Sequence, residues 1–331
     1  MRVTTLAGGI GGARFIRGLK AHLAASGEES HITVIGNTGD DIWVHGLRVC
    51  PDLDTVMYTL GDGIDTERGW GRRDETFHAK EELQAYGVEP TWFGLGDRDI
   101  GTHLVRTASL NAGYPLSDVT RALCARWKPG VDLLPMTNDR AETHVIVDSP
   151  DVPGNRVAMH FQEWWIKYRA SLPAHDFVFI GIENATPAPG VLEAIAEADV
   201  IVLPPSNPIV SIGTILAVPG ITDALSQTDA PIVGISPIIS GAPVRGMADA
   251  CLTARGIETT ALAVGLNYGA RNSGGILDGW LVDTSDADAE SDLEAAGIGC
   301  RAVPLFMTDV PATAAIAEHA IDLAQALRSA G

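Results

Sequence analysis

Near its start the chain reads Leu6-Ala-Gly-Gly-Ile-Gly-Gly-Ala-Arg-Phe15, and no other stretch restricts the fold as tightly. A short, mostly apolar run leads in from Met1, and Phe15-Ile-Arg-Gly-Leu19 leads out with apolar residues at helical spacing. A strand, the four glycines Gly8, Gly9, Gly11 and Gly12, and then a helix are the build of a phosphate cradle. Glycine lets the backbone close on an anion, and the unpaired N–H groups of the first helical turn point at it. Gly9 and Gly11 fit the first half of a dinucleotide fingerprint, but Arg14 stands where the third glycine belongs, which weakens a nicotinamide reading. A tight strand-to-helix turn without a ligand is the alternative.

A chain of 331 residues can bury a large core, and 46% hydrophobic residues with 36 glycines and 19 prolines suit an enzyme with many short connections. A formal net charge of −19 argues against sequence-independent nucleic-acid binding, which needs a basic surface. Cys50, Cys124, Cys251 and Cys300 are scattered and form no Cys-x-x-Cys pair, a pattern of free thiols in a reducing cytosol. No run reaches the roughly 18 apolar residues of a membrane span. The glycine loop also interrupts the start too early for a signal peptide. The expectation is a cytoplasmic protein with neither membrane nor nucleic acid as partner.

Apolar runs bounded by Gly, Pro and Asn recur at Val3–Leu6, Ile32–Ile35, Phe177–Ile182, Val200–Leu203, Ile232–Ile235, Thr260–Val264 and Trp280–Val282. Rich in Val and Ile and apolar at consecutive positions, they read as strands covered on both faces. Helical patterns such as Val191–Ala198 and Met247–Ala254 lie between them. Alternation of this kind predicts a single α/β domain over 1–331, a three-layer, Rossmann-like, doubly wound and mostly parallel sheet. Residues 65–170 differ, being polar and largely helical in pattern; Thr76–Tyr86 and Ser117–Trp127 are its clearest helices, with Ser117 an expected N-cap. Leu133–Pro135 and His144–Val147 read as short strands within it. This insertion is expected to cover a ligand cleft, and Ala312–Leu327 to close the core as a last helix.

Ligands of open parallel sheets collect at the carboxyl ends of the strands. After the second strand come Gly36-Asn-Thr-Gly-Asp-Asp-Ile-Trp-Val-His45 and Cys50-Pro-Asp-Leu-Asp-Thr55, so Asn37, Asp40, Asp41, Asp52 and Asp54 should lie beside the glycine loop. Clustered carboxylates next to a phosphate cradle repel one another unless a cation sits between them. Mg2+ suits, with Asp54 and either Asp40 or Asp41 as ligands; helix or turn capping is the bland role for Asp40 or Asp52. In Gly94-Leu-Gly-Asp-Arg-Asp-Ile-Gly-Thr-His103, Asp97, Arg98 and His103 either contact a ligand or serve as an ion pair and a helix-face residue. Leu203-Pro-Pro-Ser-Asn-Pro-Ile-Val-Ser-Ile-Gly213 ends another strand, and Ser206, Asn207 and Ser211 there offer hydroxyl and amide groups for a base, ribose or phosphate. His160-Phe-Gln-Glu-Trp-Trp165 stacks on a flat ligand or packs the insertion core. Nucleophile-elbow, P-loop and zinc-protease motifs are absent.

In this order and spacing, Gly8-Gly-x-Gly-Gly12, Asn37-Thr-Gly-Asp-Asp41, Pro51-Asp-Leu-Asp-Thr55, Leu95-Gly-Asp-Arg-Asp99, His160-Phe-Gln and Pro205-Ser-Asn-Pro-Ile-Val-Ser-Ile-Gly213 closely resemble the 2-phospho-L-lactate transferases of coenzyme F420 biosynthesis. The Ala-, Gly- and Asp-rich chain looks actinobacterial, a branch for which the resemblance implies phosphoenolpyruvate in place of phospholactate. The resemblance further implies an acceptor, the deazaflavin Fo, and a donor that is a guanosine diphosphate diester of enolpyruvate or lactate. The ribityl hydroxyl of Fo would attack the phosphorus bearing the acid, GMP would leave, and dehydro-F420-0 or F420-0 would form. On this reading Asp54 and Asp41 are the catalytic pair, with Asp40 as a further Mg2+ ligand, and one carboxylate of the cluster accepts the hydroxyl proton. Gly8, Gly9, Gly11, Gly12 and Asn37 hold phosphates, and Ser206, Asn207 and Ser211 the guanosine part. Asp54, Trp43, Gly94, Asp97 and Arg98 face Fo, and the family expectation is a homodimer.

Two rivals share parts of the pattern. A nucleotide-sugar-binding regulatory family has the same fold and a similar glycine start, but Pro51-Asp-Leu-Asp-Thr55 and the insertion favour the transferase. Sugar-phosphate nucleotidyltransferases open with a comparable loop, and Lys20 matches their following lysine poorly. An NAD dehydrogenase ranks last, since Gly36-Asn37 stands where an acidic residue should end the second strand.

Overall fold

The computed structural model describes residues 1–27 and 29–330. Strand β1 (Arg2–Ala7) runs into helix α1 (Gly9–Ser26), followed by β2 (His31–Gly36), a hairpin of β3 (Ile42–Val44) and β4 (Leu47–Val49), and α2 (Pro51–Leu60). Helices α3 (His78–Ala85), α4 (Asp97–Asn111) and α5 (Leu116–Trp127) precede β5 (Asp132–Pro135). Strands β6 (Glu142–Asp148), β7 (Arg156–His160), β8 (Ala174–Ile180), β9 (Val200–Leu203) and β10 (Ile232–Ile235) come next. The hairpin β11 (Ile238–Ile239) and β12 (Ala242–Pro243), then β13 (Gly279–Val282), β14 (Gly299–Ala302) and a helix over Val310–Ala330 complete the chain.

Seven strands form one parallel sheet in the order β14-β13-β10-β9-β1-β2-β5. From β1 the chain winds outward through β2 to β5, then returns to the other side of β1 and winds through β9, β10, β13 and β14. Two loops therefore diverge where β1 and β9 end, and a crevice opens between them. Successive side chains point to opposite faces of a strand. Val3, Ala7, Val34 and Val202 accordingly join a core with Phe15 of α1, Met57 of α2 and Ile316 of the last helix. Leu6, Ile35, Ile201 and Leu203 join a second core around Trp164 and Trp280. This is the expected three-layer, doubly wound α/β architecture. Helix α1 meets the last helix at Gly18, where a Cβ would stand only 2.4 Å from Thr313 Cγ2.

Several local expectations change. The apolar run at Thr260 is a helix, Ala261–Tyr268: the Thr260 side chain accepts from Ala263 N at 3.0 Å, and this cap decides between helix and strand for an apolar run too short to decide by period. The run at Phe177 lies in β8, which pairs antiparallel with β6 in a separate sheet ordered β7-β6-β8. Leu133–Pro135 lies in β5 and pairs with β2, which makes it the edge of the main sheet rather than part of the segment packed beside it. Ser117 is inside α5, whose N-cap is Pro115; its backbone N–H donates to Asn138 Oδ1 at 2.7 Å. All four cysteines are free, with Cys50 and Cys251 buried. Among the described residues no single helix is long and apolar enough to cross a membrane.

Candidate active site

The crevice at the ends of β1 and β9 opens into a cavity of about 1170 Å³. Gly8, Gly9 and Gly11 line it from one side, and Ser206, Asn207 and Ser211 from the other. Gly8 is the N-cap of α1 and has no side chain to cap the helix; its N–H donates to Ser206 Oγ at 3.3 Å, and the Gly9 N–H is directed at the Asp52 carboxylate. The glycines also have a steric reason that the sequence hides. A Cβ on Gly8 would stand 2.7 Å from both Asp52 Oδ2 and Ser211 Cβ; one on Gly11 would stand 2.6 Å from Pro205 O. Three of the four glycines thus allow two loops to interlock: at Gly12 the neighbour is Ser206 Oγ, 2.8 Å away. Gly9, with φ +64, is the one placed where left-handed backbone favours glycine. Ser206 fastens the interlock, its Oγ donating to Gly8 O at 2.9 Å.

Asn37 is fully buried and does not line the cavity. Its Nδ2 donates to Asp52 Oδ2 at 2.9 Å and to Val210 O at 3.2 Å, so it ties the ends of β2 and β9 to the start of α2. Asn207 caps its own turn, its Oδ1 accepting from Ile209 N at 2.9 Å. Asp40 and Asp52 both line the cavity and are buried. Burial, then the facing charge of Asp52, pushes the Asp40 carboxyl well above the usual carboxylate range. Asp52 is pushed up to about 6 by burial, against the hydrogen bond from Asn37. Asp40 Oδ1 has no hydrogen-bond partner among the described residues.

The cavity floor contrasts with this. Arg106 of α4, 1% exposed, donates Nη1 to Asp54 Oδ2 at 3.0 Å and Nη2 to Asp54 Oδ1, occupying both carboxylate oxygens. His103 Nδ1 lies 3.1 Å from Arg106 Nη1, and its Nε2 lies 3.3 Å from Asp99 Oδ2. Tyr58 donates its hydroxyl to Asp99 Oδ1 at 2.6 Å. Beside them Arg48 Nη2 donates to Asp41 Oδ2 at 3.0 Å, and Arg48 N donates to Thr107 Oγ1 at 2.8 Å. Burial raises Asp41 to about 6 even against the pull of Arg48. Asp54, His103 and Asp99 line the cavity, whereas Asp41 lies behind it.

Beyond the floor the lining turns aromatic, with Trp70, Phe77, Trp92 and Trp165. The Arg68 guanidinium sits 5.3 Å from the Trp70 ring and 5.5 Å from Phe77, and Trp165 stacks on Phe161 at 6.3 Å. Gly94 lines this part. Trp43, Asp97 and Arg98 do not. Trp43 is exposed on the β3–β4 hairpin, and Asp97 holds α3 in place by accepting from Ala79 N at 2.9 Å and His78 N at 3.0 Å.

The structure therefore brings Gly8, Gly9, Gly11, Asp40, Asp54, Gly94, Ser206, Asn207 and Ser211 to one cavity and leaves Gly12, Asn37, Asp41, Trp43, Asp97 and Arg98 outside its lining. Of the aromatics, the sequence pointed to Phe161 and Trp165 but not to Trp70, Phe77 or Trp92, and the buried arginines were not anticipated. One signal was available: Asp99, His103 and Arg106 are spaced by four and three, which puts them on one face of a helix. No group of three or more His, Cys, Asp or Glu side chains suited to a metal occurs among the described residues, so a cation here would take part of its shell from water or a ligand.

Comparison with known proteins places the chain in a family. A phosphoenolpyruvate transferase of Streptomyces griseus is 64% identical over 329 residues, covering 99% of this chain and 100% of the relative. Another, from Streptomyces coelicolor, is 63% identical over 330 residues with 100% of both chains covered, and one from Thermobifida fusca is 63% identical over 332 residues with 99% of each covered. A crystal structure of a Bacillus halodurans protein of the upf0052 family shares the fold, with a TM-score of 0.61 at 20% identity over 97% of this chain and 98% of that one. The profile of 2-phospho-L-lactate transferase CofD matches residues 3–301, from the first strand of the sheet almost through the last, and the chain belongs to that transferase family.

Proposed function

We propose that this chain moves a phosphoenolpyruvyl or 2-phospholactyl group from a guanosine diphosphate diester to the ribityl hydroxyl of Fo. The observation that carries the reading is one cavity with a phosphate-binding end and an aromatic end. Its volume of about 1170 Å³ exceeds the ~300–1,000 Å³ of an ordinary ligand pocket, which leaves room for a nucleotide donor and a flat acceptor together. Family membership and the phosphoenolpyruvate transferase relatives support the same reaction.

The acceptor oxygen bonds to the phosphorus carrying the organic acid, and the bond from that phosphorus to the bridging oxygen breaks, so that GMP leaves with the electron pair. Such transfer depends on positioning and charge neutralisation more than on covalent work by the protein. Amides of the first turn of α1 receive phosphate oxygens beside Gly8, Gly9 and Gly11, and Ser206, Asn207 and Ser211 border the nucleotide. Asp54, fixed by Arg106, orients the acceptor hydroxyl, and a carboxylate of the cluster not held by an arginine on both oxygens takes its proton. Trp70, Phe77, Trp92 and Trp165 receive the deazaflavin ring.

Mg2+ fits the donor set of Asp40 and Asp52: both are buried, their charges oppose each other, and Asp40 has an oxygen free. Asp54 and Asp41 fit less well, because Arg106 holds both oxygens of one and Arg48 an oxygen of the other. When bound, the ion would neutralise diphosphate charge between the two carboxylates. The test is mass spectrometry of products from Fo, Mg2+ and each of the two donors. Release of GMP with dehydro-F420-0 or F420-0 is expected, and the productive donor identifies the acid. Unreacted Fo with both donors, under conditions where the Streptomyces coelicolor relative converts it, overturns the reading.

A further inference from the structure

Arg14 and Arg245 line the same cavity as the glycine loop, and neither has a carboxylate partner among the described residues. Both guanidiniums are exposed to solvent at the cavity mouth, and in a chain whose acids outnumber its bases by 19 they place two positive charges, free of any carboxylate among the described residues, at one cleft. Their positions are built. Arg14 follows the glycines on α1. Arg245 comes from the segment after β12 and donates Nη2 to Arg68 O at 3.3 Å, joining that segment to the loop that carries Trp70. Gly69 makes room for it: its φ is +78, and a Cβ there would stand 2.6 Å from Arg245 Nη2. Burial and then the charge of Arg245 lower the proton affinity of Arg14, which an anion between the two would reverse.

We propose that Arg14 and Arg245 together grip the carboxylate of the three-carbon acid on the donor, an inference that rests on the transfer reading above. Planar guanidinium forks match a carboxylate edge to edge. The diphosphate oxygens already have the helix amides and the Asp40–Asp52 cation site, so the carboxylate is the anionic group of the donor left without a partner. This pair would then distinguish an acid-bearing donor from a simple guanosine diphosphate.

Calorimetric titration with Mg2+ and without Fo reads binding apart from turnover. Wild type, Arg14→Gln and Arg245→Gln are each titrated with GDP and with the enolpyruvyl donor. The expected result is a loss of tenfold or more in donor affinity for each variant, with GDP affinity within twofold of wild type; retained GDP binding also reports an intact fold. Equal losses for GDP and donor would assign the arginines to the diphosphate and overturn the proposal, as would unchanged affinity for both. Wild type that binds GDP as tightly as the donor also overturns it. Wild type that binds neither guanosine compound overturns the transfer reading itself.

Discussion

Beneath the cavity Asp54 rests on Arg106 and Asp41 on Arg48, whereas at its rim Asp40 faces Asp52 and Arg14 faces Arg245. Both regions are rich in charge, buried throughout at the floor and at Asp40 and Asp52 of the rim but exposed at Arg14 and Arg245, yet the floor pairs opposite signs internally and the rim sets like against like. Internal pairing compensates most of the cost of burial within the fold. Facing like charges leave part of that cost uncompensated until a counter-ion or ligand arrives, so the rim is where binding free energy is stored. The floor, by the same token, is a rigid support: α4 supplies Asp99, His103 and Arg106 from one face, and α2 supplies Asp54 and Tyr58 opposite them. A cluster of aspartates in sequence therefore does not reveal which members are free. The arginines that arrive from distant elements decide.

Removing one partner from the floor should give the largest effect. Arg106→Met leaves Asp54 buried beside His103 and Asp99 with no cation on its two oxygens, and breaking a buried pair in this way costs about 3–5 kcal/mol. The double change Asp54→Leu with Arg106→Met removes both charges and should recover most of that loss while leaving transferase activity absent. Denaturant unfolding of the three proteins measures both statements. A single variant that loses less than about 1 kcal/mol would mean that the floor is not an internally paired region, and the contrast with the rim would fail.

At the rim the expected effect is smaller and depends on pH. Burial pushes Asp52 up to about 6 from an ordinary 3.8, and burial with the facing charge of Asp52 also pushes Asp40 well above the usual carboxylate range. An acid raised on folding binds more protons in the native state, so stability falls as pH rises from about 4 through 6 and stays lost above it. In the absence of divalent ions, Asp52→Asn should therefore gain on wild type across that window by about 1–3 kcal/mol. Thermal melts at pH 4.5 and 7.5 in a chelating buffer read the difference. A gap between the two proteins that is independent of pH would mean that Asp52 is already neutralised, and the rim would then resemble the floor. Adding Mg2+ with GDP should raise the wild type at pH 7.5 more than the variant.

What the sequence disclosed follows the same division. The parallel sheet was legible because strands buried on both faces read as unbroken Val and Ile runs, and the loops after β1 and β9 because glycine, proline and asparagine punctuate strand ends. Topology then required those two loops to be neighbours across the reversal of strand order. Pairings across the chain were not legible. Arg106 is separated from Asp54 by 52 residues, and nothing local in either segment shows that they meet. The strand assignment at Thr260 failed because four apolar residues fit either period until a capping hydroxyl is considered. The family resemblance implies that Trp43 faces the acceptor, but alternation along β3 turns neighbours to opposite faces: Val44 is buried and Trp43 exposed, outside the cavity lining.

Trp43 and Trp70 give the smallest and most discriminating comparison. Both are nearly half exposed, at 44% and 46%, so exposure does not separate them. Trp70 lines the cavity with Arg68 against its ring, on the loop that Arg245 holds at the rim. Trp43 belongs to the hairpin whose other strand sends Arg48 to the floor, and it is outside the cavity lining. A stacked ring pair contributes about 0.5–1.5 kcal/mol beyond its buried area. Trp70→Ala should thus raise the KM for Fo roughly two- to tenfold with kcat changed less, since ring binding is made equally in ground and transition states. Trp43→Ala should leave KM within about twofold and stability within about 0.5 kcal/mol, as for an ordinary surface change. Steady-state kinetics on the two variants with Fo as the varied substrate separates them. A larger KM effect at Trp43 would put the acceptor on the hairpin side, and the aromatic end of the cavity would need another occupant.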